Sequence, residues 1–334
     1  MAKAGEQGTR QGLLYVGWLV CFALCILFAF TSLKFYFEHL LAYRDDGISG
    51  VLNRSEIDLL LIGSSHTRQT YDMRLLERQT GIPASYMCAY GGTDLSMIAQ
   101  ILEYLARQPE KLPRAIVVEA YSSKLATMPG LEDPRYFFDA PPDLKIEILK
   151  SYRKSNKGAG AWFDMFDLAV NRENDQLLAY PAYLWAEKVV SYKGGKDSNG
   201  SAGVSPREFA SFHDEGVLSE PDRAQVEGFH RIVALARRYH ISLYFVESPM
   251  PAPVSSSPRI QNLKRAFREM AAAERIPYVN GDQGFPTGDP ELFADDNHLS
   301  QQGSELFTMF VSQELNRWMA PQLLTQNRAV TYPK

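Results

Sequence analysis

Five short apolar stretches punctuate the chain, at residues 59–62, 84–89, 115–119, 241–246 and 276–280, each closed by small or polar residues. The first, Leu59 to Ile62, runs apolar without alternation and stops at Gly63. A run of that kind is the pattern of a strand buried on both faces, as in a parallel sheet. Between the runs the period changes to that of a helix. Met73, Leu75 and Leu76 mark a helix over 67–80, and further helices are expected over 95–106, 220–239 and 257–273. Leu306, Phe307, Phe310, Val311 and Leu315 mark a last one near the C-terminus. Strands alternating with helices predict an α/β fold, a doubly wound five-stranded parallel sheet. The body is expected over residues 57–320, followed by a tail at 321–334.

The rhythm fails between residues 125 and 220, which carry Pro141-Pro142, Gly158, Gly160, Trp162, Phe163, Phe166, Tyr180, Tyr183, Trp185 and Gly194-Gly195. A long insertion between the third and fourth strands of a compact domain commonly forms a lid or a substrate wall. Its aromatics either stack on sugar rings or pack inward, and both readings stand. At the other end, no charged residue occurs from Gln11 to Leu33, and Leu13 to Thr31 is almost wholly apolar. That length spans a bilayer once, with Tyr15 and Trp18 placed for one interface. A cleaved signal peptide is the alternative, but Ala29-Phe30-Thr31 is a poor cleavage site, so an uncleaved anchor is expected. Lys3 and Arg10 precede the span while Lys34 and Arg44 follow it, so charge alone orients it weakly. The large body with no second span argues for a cytoplasmic tail and anchor at 1–33, and a juxtamembrane connector at 34–56.

Composition narrows the partners. A net charge of −4 leaves no basic footprint for nucleic acid. Of three cysteines, Cys21 and Cys25 lie in the span and Cys88 in an apolar strand, so no disulfide framework or zinc-ligand spacing exists. Cys88 is expected to be a buried thiol. No Gly-x-x-x-x-Gly-Lys loop is present to cradle phosphates, and no cofactor or metal is implied.

The chemistry-bearing residues stand at two places far apart in sequence. Gly63-Ser64-Ser65-His66-Thr67 forms the first strand-to-helix turn. A serine there points its hydroxyl out of the carboxyl end of the sheet, beside a helix N-terminus suited to an oxyanion. Alternatively, Ser64 or Ser65 caps the helix. The second place is Asp295-Asp296-Asn297-His298. A carboxylate three residues before a histidine can hold its Nδ1–H and leave Nε2 as a base; the alternative is a solvated loop with Ser300 capping the last helix. Thr67 stands where a Gly-x-Ser-x-Gly elbow needs glycine. His66, adjacent to Ser65, is expected to point elsewhere and at most to stand behind the site. His213, His230 and His240 lack partners at catalytic spacing. A further turn, Tyr90-Gly91-Gly92-Thr93-Asp94, needs glycine for positive φ and caps the next helix through Thr93 or Asp94.

With these residues the chain resembles the SGNH (GDSL-like) hydrolase superfamily, over roughly 57–125 and 240–315. Within it, the similarity is to the membrane-anchored branch that includes the D-alanine transfer protein of teichoic acid synthesis and alginate O-acetylation proteins. The resemblance implies an SGNH/flavodoxin-like sheet, with Ser65 as nucleophile, His298 as base and Asp295 as its orienting acid. It further implies an oxyanion hole from the N–H groups of Ser65 and Gly92. The family's Gly-x-Asn-Asp is missing after the third strand, where Ala120-Tyr121-Ser122-Ser123 stands. Either Ser122 or Ser123 replaces the asparagine, or the hole is reduced to backbone donors. Ser64 in place of the usual aspartate is a second departure. The expected function is an O-acetyltransferase or esterase on a cell-envelope or exported polysaccharide, at the outer side of a bacterial inner membrane. Its partners would be an acyl donor, a carbohydrate acceptor or ester, and other polysaccharide-modification proteins. A non-catalytic binding or assembly protein on the same fold is the alternative.

Overall fold

A computed structural model describes residues 15–29, 32, 47–126, 140–155, 220–295 and 298–323. Five strands form one sheet: β1 (Leu59–Gly63), β2 (Ser85–Ala89), β3 (Ala115–Glu119), β4 (Ser242–Glu247) and β5 (Tyr278–Asn280), in the order β2-β1-β3-β4-β5. Every pairing is parallel, with Leu59 opposite Ser85 on one side and Ala115 on the other. Direction along the sheet reverses at β1, since β2 is laid on one side of it and β3 on the other. Ligand crevices of open α/β sheets open at the carboxyl ends of the strands at such a point.

Alternation along each strand divides the core in two. Leu60, Ile62, Cys88, Ile116, Val118 and Phe245 face one layer, with Ile98, Phe229 and Phe267. Leu59, Leu61, Met87, Val117, Tyr244 and Val246 face the other, with Leu76, Phe307 and Val311. The first layer holds α1 (Gly47–Leu52), α4 (Leu95–Leu105) and α7 (Arg223–Arg238); the second holds α3 (Met73–Thr80) and α10 (Gln301–Leu323); α8 (Ala252–Ser255) and α9 (Pro258–Ala273) follow β4. Cys88 is buried, as its apolar surroundings in the sequence implied.

Three elements differ from the sequence pattern. The helix expected over 67–80 is two, α2 (Ser65–Thr70) and α3, separated by extended Tyr71. Asp72 caps α3 by accepting from Leu75 N–H at 3.0 Å. The backbone groups freed at the break meet hydroxyls of α10: Ser304 Oγ donates to Thr70 O at 3.0 Å, and Asp72 N–H donates to Thr308 Oγ1 at 3.0 Å. Second, α1 lies within the expected connector, yet Ile48 and Val51 are core residues and Ile48 N–H donates to Tyr90 Oη at 2.7 Å. The packed body therefore begins before residue 57. Third, part of the insertion is a helix, α6 (Pro142–Ser155), with Leu144 and Ile148 buried and Asp143 accepting from Tyr104 Oη at 2.9 Å. Trp162 and the aromatics after it lie outside the described residues.

Residues 15–29 are helical and their apolar side chains are exposed, Trp18 at 75% and Phe28 at 74%. The ends of the expected span lie outside the described residues, and among those described no helix is long and apolar enough to cross a membrane.

Candidate active site

The fold brings both chemistry-bearing segments to the carboxyl end of β1. The two serines of the turn have different partners. Ser64 is extended and buried, and its Oγ caps α2 by accepting from His66 N–H at 3.2 Å. Ser65, one residue on and half-buried, turns its Oγ to His298 Nε2 at 3.1 Å. His298 arrives on the loop before α10, where Ala294 N–H donates to His298 O at 2.8 Å and Phe293 pairs with Leu299. Ser300 Oγ, as expected of a cap, accepts from Gly303 N–H at 3.2 Å.

Asp295 holds His298 twice. One carboxylate oxygen accepts from the His298 backbone N–H at 2.7 Å, and ring Nδ1 lies 3.0 and 2.8 Å from the two oxygens. A carboxylate only accepts, so the proton between them belongs to Nδ1 and Nε2 is left to accept from Ser65 Oγ–H. The His298 side chain is 18% exposed and that of Asp295 44%. The pair's Coulomb energy is therefore screened, and orientation is what it supplies.

His66 stands behind these residues. It is 4% exposed, its ring centroid 4.0 Å from that of Tyr121 and 5.0 Å from that of His298. Burial, and then the neighbouring His298, lower its pKa to about 3, so it is neutral in the working range.

The oxyanion candidates divide. Gly92 sits in the turn after β2 with φ +69°, the left-handed backbone that glycine was expected to supply. Asp94 rather than Thr93 caps the following helix, accepting from Met97 N–H at 3.0 Å. Of the two serines offered for the place of the asparagine, Ser122 has its hydroxyl engaged elsewhere. Ser122 opens α5 (Ser122–Leu125), is fully buried, and its Oγ donates to the Glu247 carboxylate, which commits its hydroxyl proton there. The side chain of Ser123 lies outside the described residues.

Two buried carboxylates escaped the sequence reading. Glu119 ends β3 at 6% exposure. It accepts from Ser64 N–H, from Ser64 Oγ at 3.0 Å and from Thr67 Oγ1 at 2.9 Å. Burial pushes its carboxyl up, while the Ser64 and Thr67 donors pull the other way. A Cβ at Gly63 would overlap Thr67 Oγ1 and Glu119 Oε2, which is why the turn opens with glycine. Glu247 ends β4 and accepts from Ser122 Oγ and Tyr278 Oη. Lys264, wholly buried, stands 3.6 Å from Glu247 and pairs with Asp282, which also takes the Ser255 hydroxyl. The only signal was a glutamate closing each apolar run, and a solvated strand end gives the same signal. Among the described residues no group of three or more His, Cys, Asp or Glu could hold a metal ion.

No protein-family model matches the chain, and no curated protein matches it. Among solved structures it is similar to a Bacteroides fragilis protein assigned as an acylhydrolase, at TM-score 0.41 and 12% identity, covering 83% of this chain and 98% of that one. It is likewise similar to a GDSL-like lipase of Bacteroides thetaiotaomicron, at TM-score 0.40 and 12% identity, covering 78% of this chain and 88% of that one. At these values neither likeness carries an assignment; sheet order and site geometry must do so.

Proposed function

We propose that the protein is an SGNH-type acyl-ester enzyme in which Ser65, His298 and Asp295 form the catalytic triad. The observation that carries this reading is the unbroken line from Ser65 Oγ through His298 Nε2 to Asp295, at 3.1 and 2.8 Å. Ser65 Oγ attacks the ester carbonyl carbon and its proton passes to His298 Nε2. The tetrahedral intermediate collapses, the bond to the alcohol oxygen breaks, and that oxygen leaves with the proton from His298. An acyl–Ser65 ester remains. In the second half His298 takes a proton from the acceptor hydroxyl, whose oxygen attacks the acyl carbon, and Ser65 Oγ departs with that proton. Water as acceptor makes an esterase; a sugar hydroxyl makes an O-acyltransferase, with acetyl as the acyl group.

For the oxyanion we assign the backbone N–H groups of Ser65 and Gly92. The N–H of Ser65 heads α2, where the first-turn donors lack helical partners; each such donor is worth about 3 kcal/mol in comparable sites. The commitment of Ser122 to Glu247 favours a hole of backbone donors alone. The same observation favours the second reading, a binding or assembly protein on this fold. The apolar, exposed helix at 15–29 supports a membrane anchor, and with it an extracytoplasmic site and a cell-envelope or exported polysaccharide as substrate.

Hydrolysis of p-nitrophenyl acetate tests the reading. Ser65→Ala and His298→Ala should each remove nearly all activity, since triad members act as a unit, and Asp295→Asn should cost less. Adding an oligosaccharide then separates acetylated sugar from free acetate. Activity unchanged in Ser65→Ala would exclude the triad, and no ester cleavage at all would favour the binding protein.

A further inference from the structure

The nucleophile turn has little of its own to hold it. Its helix, α2, is six residues long, far below the length at which a helix is stable alone. Ser64 before it is extended, with φ −95° and ψ −163°. One side chain from outside the segment grips it on both flanks of Ser65. β1 and β3 pair with Ile62 opposite Val118, so the next positions along, Gly63 and Glu119, are neighbours. With no side chain at Gly63, the Glu119 carboxylate occupies the space over the strand end. One oxygen takes Ser64 N–H and Thr67 Oγ1–H; the other takes Ser64 Oγ–H. These donors precede Ser65 by one residue and follow it by two.

We infer that Glu119 is a positioning residue that clamps the Ser64–Thr67 turn so that Ser65 Oγ stays aligned with His298 Nε2. It touches neither the substrate nor the reacting atoms and acts through Ser65. The inference rests on the reading of Ser65 as nucleophile. A carboxylate is suited to this task because it only accepts and carries enough lone pairs for all three donors. Being buried, it is held in place by the need of those donors for an acceptor. A displacement of about 1 Å at a nucleophile can cost roughly 10²-fold in rate, so a clamp this close has a kinetic signature apart from stability.

Glutamine at 119 keeps the shape. Its carbonyl can take Ser64 N–H and Thr67 Oγ1–H, while its NH₂ faces Ser64 Oγ, which already accepts from His66 N–H and can turn to accept again. Leucine offers no acceptor, and Thr67→Val removes one donor without changing shape. The full chain and these variants would be compared by steady-state kinetics on p-nitrophenyl acetate and by amide hydrogen exchange. Glu119→Leu should lower kcat about 10²-fold with KM little changed. It should also speed exchange in the 63–70 segment while β4 and α9 (Pro258–Ala273) keep their protection. Thr67→Val should show a smaller loss of the same kind, and Glu119→Gln should recover kcat to within about tenfold of wild type. Ser65-dependent activity that survives both Glu119→Leu and Thr67→Val would overturn the inference alone. So would a kcat loss accompanied by faster exchange in every strand, since that is unfolding rather than misalignment. Equal rates in wild type and Ser65→Ala would instead remove the nucleophile, and the inference with it.

Discussion

His66 turns a buried ring into a measurable pH dependence. Its folded-state pKa, about 3, lies below the ordinary 6.5 because burial and then His298 oppose its charge, as Lys124 does more weakly and Asp295 does not. Above pH 6.5 both folded and unfolded states hold it neutral and nothing is lost. As pH falls from 6.5 toward 3 only the unfolded chain binds the proton, so stability declines by up to about 1.4 kcal/mol per unit. Glu119 and Glu247, raised by burial, act with the opposite sign: what they contribute is present at low pH and lost as pH rises through their folded values. Those contributions are common to wild type and His66→Phe and cancel in the difference. Denaturant titrations at pH 7 and 4.5 should therefore show wild type losing about 2.5 kcal/mol more than His66→Phe; parallel losses would contradict the burial argument. Which residues meet was only partly legible in the sequence. Asp295 and His298 are three apart on one loop, so local spacing was enough to pair them. Ser65 stands 233 residues away from His298, and a strand-to-helix turn with a family resemblance supplied that link. Glu119 had no such signal, because its partners are fixed by strand register and burial.

At the scale of elements, hydrophobic period located all five strands to within about two residues, because strands buried on both faces must be apolar throughout. It failed where side chains of another element decide the backbone. The apolar period runs straight through Tyr71, but hydroxyls on α10 satisfy the broken turn there, and nothing in the local sequence shows them. The choice left open between Ser122, Ser123 and backbone donors had the same cause, since the claim of Glu247, 125 residues away, on the Ser122 hydroxyl has no local signal. Close approach of elements is equally hidden. Gly228 of α7 lies against the start of α4, where an added Cβ would come within 2.7 Å of the backbone at Leu95 and Ser96. Gly228→Ala must push the two helices apart, although alanine is the better helix former. It should destabilise the protein by about 1–3 kcal/mol, read from the denaturation midpoint; a gain in stability would show that the helices have slack.

For the whole molecule, the fold class was legible and the strand order was not. Alternating periods imply a parallel doubly wound sheet, but the placement of β1 between β2 and β3 depends on how the crossovers pack. That placement makes the switch point at which both chemistry-bearing segments meet. The proposed anchor would put residues 15–29 in lipid. The chain should sediment with membranes and resist extraction by high salt, and removal of residues 1–33 should release it. A full chain recovered in the aqueous fraction would contradict the anchor and weaken the case for an envelope polysaccharide.

The central claim is that Ser65 is the nucleophile and His298 its base. A fluorophosphonate reports this directly: serine oxygen forms a bond to phosphorus, fluoride leaves, and His298 takes the serine proton. Peptide mass mapping after labelling of the full chain should place one adduct on Ser65. His298→Ala should lose it, and Glu119→Gln should keep it. An adduct on Ser64, or labelling of Ser65 that is indifferent to His298, would contradict the account.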